Sequence, residues 1–301
     1  MNVNQGIVNR GNGNSFSGNA VGDRASVLMG MSSEEEAGAK RRPEEAAWDI
    51  GVVTILSEEL QAVRDELELE RYKEPSGLYF YRRIHTESGA TVRVVATQTQ
   101  SQGQRSTMGA LENLRRHYNP RMWVLVGVGG GIHDEYARVG NVIVSTEIIY
   151  YENRKINGHG SIRRRGEHRQ APAAVVHAVN AYFADHGTPA CIHGQVPSYA
   201  TEQFCVYPGV IGSGEAVIAD RESEIRQFLT SYHEKVLAVD MEAGGLSQYW
   251  QENSINVGEN PGWVVVRGVS DNADAQKGHA YHELAARNAA YVLRQLVSYI
   301  C

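Results

Sequence analysis

Apolar residues fall in short dense runs, and stretches of helical spacing separate them along most of the chain. Residues 49–56, 122–128 and 264–266 are mostly apolar and rich in β-branched residues. That is the pattern of strands buried on both faces. Weaker strand patterns cover 78–84 and 91–96, around a turn at 87–89, and then 141–150, 191–196, 206–212 and 235–239. Helical spacing covers 60–67, 106–117, 171–185, 220–229, a stretch ending near 250, and 280–300. The last places Leu284, Ala285, Ala289, Val292, Leu293, Leu296 and Val297 on one side. Ser57 is the expected N-cap of the first helix, with Glu58 and Glu59 favoured in its first turn by the dipole. Residues 152–170 show no periodicity and read as a basic loop. Strand and helix alternate without an internal repeat. The expectation is one α/β domain over 47–301, in three layers with a central mixed β-sheet flanked by helices.

Residues 1–46 depart from this pattern. Positions 2–22 are rich in Asn and Gly, with Ile7, Val8, Phe16 and Val21 as isolated apolar residues, and 32–45 are charged and small. Such composition cannot bury enough surface to offset the entropy of ordering, which points to a disordered tail. Asn/Gly-rich text with spaced apolar residues can also stack as cross-β. Both readings stay open.

Composition narrows the function. The 301 residues are 42% hydrophobic and 21% charged, enough for a substantial core. No apolar run approaches the roughly 20 residues of a membrane helix, and no secretory h-region stands near the N-terminus, so no membrane partner is expected. A formal net charge of −6 argues against bulk nucleic-acid binding. Cys191, Cys205 and Cys301 are too few and too scattered for a disulfide framework or a zinc site. The expectation is therefore a cytoplasmic protein with no metal and no cofactor.

Candidate chemistry lies where apolar runs end. The strand over 264–267 breaks at Gly268 and delivers Ser270, Asp271 and Asp274. Others end at Glu59, at Gly129-Gly130-Gly131, at 213–217 and at Asp240-Met241-Glu242. In an open α/β sheet such carboxyl ends share one edge. A lone Asp after a strand is ordinarily a cap or a solvated acid, and a lone Met is ordinarily core. Two acids flanking Met241 at a strand-to-helix junction are harder to bury without a reason. The glycine spacing fits neither a dinucleotide fingerprint nor a P-loop.

These motifs, in this order, carry a resemblance. Residues 126–132 (Val-Gly-Val-Gly-Gly-Gly-Ile) with 139–145 resemble the glycine-rich strand end and following strand of the nucleoside phosphorylase and nucleosidase superfamily, which includes the methylthioadenosine/S-adenosylhomocysteine nucleosidases. Residues 239–243 (Val-Asp-Met-Glu-Ala) resemble its ribose-binding signature and 267–271 (Arg-Gly-Val-Ser-Asp) its catalytic-acid signature. The resemblance runs from about residue 49 to the C-terminus and implies the roles that follow. Asp271 would protonate a purine ring nitrogen, with Ser270 orienting it. Glu242 would hold the ribose hydroxyls, with Met241 beneath the ring and Asp240 beside it. Gly129 and Gly130 would let the backbone approach the ligand. Val217 and Ile218 would cover the base, with Val217 where the family often has an aromatic. Tyr281 would close the site.

The chain has Leu125 and Val128 where a phosphorylase carries arginine and serine, and Glu59 in the first loop can polarise a water. That favours hydrolysis of the N-glycosidic bond of an adenine nucleotide or a 5′-modified adenosine. Phosphorolysis, or a nucleotide-sensing assembly module without turnover, is the alternative. Arg105 and the basic run 154–169 are the expected receivers of 5′-phosphates. The partner set is a small purine nucleoside or nucleotide together with, as the resemblance implies, a homo-oligomer. Residues 8–22 resemble short amyloid signalling motifs on effector chains paired with NLR-type immune receptors, so 2–22 would serve self-assembly or receptor coupling in an antiphage role.

Overall fold

Within the stretches predicted as buried strands, the apolar positions are buried in the core except Leu56 and Val128, which are partly buried and pack against it. The computed structural model describes residues 48–72, 79–86, 89–193, 203–254, 262–274 and 280–301. The expectations for the N-terminal tail, most of the 87–89 turn and the far end of the 191–196 strand lie outside these residues. Strand β1 (Ile50–Thr54) is buried throughout and runs into helix α1 (Ser57–Leu67). Strands β2 (Glu70–Tyr72), β3 (Tyr79–His85) and β4 (Thr91–Gln98) form an antiparallel flank. Helix α2 (Gln104–His117) leads to β5 (Met122–Gly131) and β6 (Val142–Tyr150).

The basic segment is less irregular than its composition suggested. It forms a two-stranded hairpin, β7 (Arg154–Ile156) with β8 (Ile162–Arg164), and then β9 (Glu167–Gln170), which pairs with β6. Cross-strand hydrogen bonding supplies what side-chain periodicity did not signal. Helix α3 (Ala173–His186), β10 (Ala190–Ile192) and β11 (Phe204–Ser213) follow. Cys191 lies directly opposite Cys205 in the β10–β11 pair, and the two are disulfide-bonded. The cysteines make no framework among the described residues, as expected, but a single bridge forms because antiparallel pairing sets face to face two cysteines that look scattered in the sequence. Helix α4 (Glu224–Tyr232) starts later than the spacing predicted. Ser223 caps it by accepting from the Arg226 amide. Strand β12 (Val236–Asp240), helix α5 (Ala243–Asn253), strand β13 (Gly262–Asp271) and helix α6 (His282–Ile300) complete the chain.

The main sheet is mixed, in the order β10-β11-β6-β13-β5-β1-β4-β3-β2. It is not fully open, because β12 pairs with both β11 and β5 and so joins β5, β13, β6, β11 and β12 into a ring. At the end of this ring Gly130 faces Asp271 on one side and Val239 on the other, and Asp240 faces Ser213. Residues far apart in sequence meet there. Helices cover both sheet faces. A Cβ at Gly268 would lie 2.0 Å from the Ala285 carbonyl oxygen, so this glycine lets α6 rest on β13. Its neighbour Arg267 points the other way, toward the start of α5. Ala285, Ala289, Val292, Leu293, Leu296 and Val297 of α6 are buried. Each large one contributes about 1.5–3 kcal/mol.

Candidate active site

A cavity of about 280 Å³ opens at the end of the strand ring. Ligand sites span roughly 300–1,000 Å³, so it is close to the size of a nucleoside. Its wall includes Glu59, Gly129, Gly130, Val217, Ile218, Asp240, Met241, Glu242, Ser270, Asp271 and His282. Most of the site residues expected from the sequence are thus brought together. Two are not on the wall. Arg105 is exposed at the start of α2, and Tyr281 is 53% exposed at the N-cap of α6. The next residue, His282, takes the position on the wall that Tyr281 was expected to hold.

Glu59 is held by backbone. Its Oε2 accepts from the amides of Ile55 (2.7 Å) and Leu56 (2.8 Å), and its Oε1 from the amide of Val128 (2.8 Å). Leu56, not Ser57, occupies the N-cap position, and the Glu59 carboxylate does the capping. The same side chain therefore closes the helix start and lines the cavity. Burial raises its pKa above the ordinary carboxyl range, opposed by Arg267 and the three amides. A Cβ at Gly127 would lie 2.3 Å from Glu59 Oε1 and 2.7 Å from Arg267 Nη1. Only glycine leaves room for both.

Arg267 is 1% exposed and is the counter-ion of this corner. Its Nε (2.9 Å) and Nη2 (2.7 Å) donate to Asp240 Oδ2, and Nη2 also donates to Glu242 Oε2 (2.9 Å). Its Nη1 is buried and makes no hydrogen bond among the described residues. Asp240 Oδ1 accepts from Ser213 Oγ (2.6 Å) and from the Ala243 amide (3.1 Å). Asp240 is therefore committed to holding the corner together, although it borders the cavity. Glu242 Oε1 accepts from the Gly103 amide (3.0 Å). Burial pushes its pKa up to about 7, against the pull of Arg267. One cation serves three buried acids, Asp240, Glu242 and Glu59, so the cluster cannot cheaply ionise in full. Gln104 braces the ring by donating to Ser213 Oγ (3.0 Å) and the Gly214 carbonyl (3.2 Å), and by accepting from the Gly245 amide.

Asp271 is the last residue of β13 and is buried, which removes the reading of a cap or a solvated loop acid. Its Oδ2 accepts from Ser270 Oγ (2.9 Å) and its Oδ1 from the Ala273 amide (2.8 Å). Ala273 adopts φ 49°, an unfavourable left-handed conformation that turns its N–H back onto the carboxylate. Arg226 pins the same segment by donating to the carbonyls of Asn272 (3.1 Å) and Ile132 (2.8 Å). Tyr151 Oη donates to the Ala216 carbonyl (3.2 Å) and anchors the loop over 214–218. Ile218 is buried there, whereas Val217 is 54% exposed at the rim. Sequence reasoning assigned no role to Arg226 or His282, quoted Arg267 only as part of the 267–271 signature, and placed Gln104 beside Arg105 in a loop where the family binds anions rather than as a brace. For Arg267 one signal existed, an arginine inside an otherwise apolar strand run.

The basic segment does not line the cavity. Arg164 donates to the Tyr151 carbonyl (3.1 Å) and lies 3.3 Å from Glu224, while Arg169 pairs with Glu167 and reaches the Gly244 carbonyl. Among the described residues, no group of His, Cys, Asp and Glu is placed to hold a metal ion, and no helix is long and apolar enough to cross a membrane.

A fold of this kind with acids gathered at its strand ends defines a class, and the chain belongs to it: residues 49–300 match the phosphorylase superfamily. Among individual relatives, the ATP nucleosidase Cap17 of Escherichia coli is 23% identical over 257 residues, which cover 80% of this chain and 49% of Cap17. The chain thus spans about half the length of that relative. The 5′-methylthioadenosine/S-adenosylhomocysteine nucleosidase of Oceanobacillus iheyensis is 22% identical over 275 residues, covering 83% of this chain and 99% of that one. The nucleosidase of the same name from S. pneumoniae, solved with the transition-state inhibitor MT-ImmA, superposes with TM-score 0.63 at 18% identity, covering 84% of this chain and all of that one.

Proposed function

We propose that this chain is a purine nucleosidase that hydrolyses the N-glycosidic bond of an adenine nucleotide or a 5′-modified adenosine. The observation that carries this is the meeting of Glu59, Glu242 and Asp271 around one nucleoside-sized cavity. Asp271, oriented by Ser270, donates a proton to a ring nitrogen of the purine. The bond between the base and C1′ then breaks with its electron pair on the base, and the sugar takes oxocarbenium character. Glu242 binds the sugar hydroxyls and Met241 lies against the sugar. Glu59 accepts a proton from a water while the water oxygen bonds to C1′.

Water is favoured over phosphate because the wall carries four carboxylates and no arginine or lysine among its described residues. A phosphate dianion there would meet like charge at short range. The relatives support a nucleosidase, and the ATP nucleosidase supports nucleotide substrates in particular. Incubating the chain with ATP, AMP and methylthioadenosine should release free adenine equally with and without phosphate. Release that requires phosphate, with a sugar 1-phosphate as co-product, would establish a phosphorylase instead.

Gly127→Ala tests the placement of Glu59. The added methyl should displace the carboxylate from the Val128 amide and lower turnover by about 100-fold, with a smaller effect on the denaturation midpoint. A lowered midpoint with unchanged turnover would reduce Gly127 to a packing residue. A cytoplasmic antiphage effector that works as a homo-oligomer, coupled to an NLR-type receptor through residues 2–22, is the wider setting we propose. Its support is the composition and resemblance of those residues.

A further inference from the structure

The arrangement of the cavity wall leaves one side without an assigned ligand group. On the reading above, the base lies against Ser270, Asp271 and the 216–218 loop, and the sugar hydroxyl edge against Met241 and Glu242. The attacking water lies at Glu59. Besides Val128, Val239 and the glycines, the wall that remains is Ile55 and Leu56, where β1 runs into α1, Gln102 just before α2, and His282 at the start of α6. By elimination this side faces the 5′ end of the sugar.

His282 is the one side chain able to carry positive charge among the described residues of that wall. It is 8% exposed, so its place on the cavity is not a surface accident. Its Nδ1 lies 3.6 Å from Oε1 of Glu58, a partly exposed carboxylate that orients the ring. It is also the first residue of a 19-residue helix whose N-cap, Tyr281, makes no side-chain capping hydrogen bond. The amide end of α6 therefore adds positive partial charge at the same corner. The other ionisable side chains among the described residues of the wall are the acids Glu59, Asp240, Glu242 and Asp271, which do not attract an anion.

We infer that His282 receives an anionic 5′ group, and that the substrates of this site are nucleoside 5′-phosphates. The inference rests on the purine nucleosidase reading for the placement of base and sugar. It replaces the expectation that Arg105 or the basic segment binds those phosphates. It also makes His282 a specificity residue, since a neutral 5′-thioether would gain nothing from it.

Calorimetry on the full chain carrying Asp271→Asn, which slows base release by about 10²–10⁴-fold, tests this with ATP, AMP and adenosine as probes. His282→Phe in that background should weaken ATP and AMP by about tenfold or more and leave adenosine within roughly twofold. His282→Arg should recover the nucleotide affinity, which a purely structural role would not predict. Equal losses for adenosine and nucleotides, no loss at all, or the absence of ATP binding before His282 is changed would each overturn the inference. Failure of the nucleosidase reading looks different. Nucleotides would then bind in a His282-dependent way, but the chain with Asp271 intact would release no adenine.

Discussion

On the proposed reading, Asp271→Asn is expected to lower the rate of adenine release by about 10²–10⁴-fold, the usual contribution of a positioned general acid. The carboxamide keeps the shape of the side chain and one acceptor oxygen for the Ala273 amide. What it lacks is a proton it can give to a departing purine. Ser270 would face an amide in place of the carboxylate it now bonds at 2.9 Å. Because the volume is conserved and the position is buried at a strand end, the fold should survive, and the thermal midpoint measured beside the rate shows whether it does. Substrate affinity should fall far less than turnover, since the interaction lost is one made in the transition state. Unchanged base release in a folded variant would leave the proton to some other group and remove the central assignment.

The second large effect is on stability. Arg267→Met removes the one cation that serves Asp240 and Glu242, both buried, and leaves Glu59 without its opposing charge. Breaking a buried ion pair by deleting one partner costs about 3–5 kcal/mol. Part of that cost is relieved if the acids take up protons, so the loss should depend on pH. In the variant the native carboxyls hold protons that the unfolded chain has already lost. Stability then falls as pH rises through that window. Glu242, already pushed up to about 7, shows which group is readiest to take one. The gap between original and variant, read from urea unfolding, should therefore be wider at pH 8 than at pH 5. A gap below about 1 kcal/mol that is flat with pH would mean that Arg267 does not neutralise this cluster.

Such a cluster need not be the most stable solution for a core, since apolar residues of similar volume often do as well or better. Its form suits a site. Arg267, Asp240, Ser213 and Gln104 lock one another, and that leaves Glu242 and Glu59 fixed at the cavity edge. The left-handed turn at Ala273 and the two carbonyls held by Arg226 do the same for Asp271. Rigid placement of acids is what proton transfer to and from a bound nucleoside requires.

By itself, the amino-acid sequence determined the alternation of elements, the α/β class and the set of acids at strand ends. Strands buried on both faces must be apolar throughout, so their runs are plain, and polar residues that interrupt such runs stand out. Glu59, Glu242, Ser270 and Asp271 were legible for that reason. Only the tertiary structure decided which charges share a space. Arg267 finds Asp240 27 positions away because the ring of strands closes through β12, and nothing local encodes that pairing. The choice of His282 over Tyr281 for the cavity wall depends on where α6 begins, since Tyr281 is the N-cap with φ −113° and ψ 7°, outside the helix that His282 starts. The partner of Cys191 depends on the register of β10 against β11. Spacing along a chain constrains elements a few residues long, whereas the field around a buried charge depends on every atom within several ångströms, whatever its position in the chain.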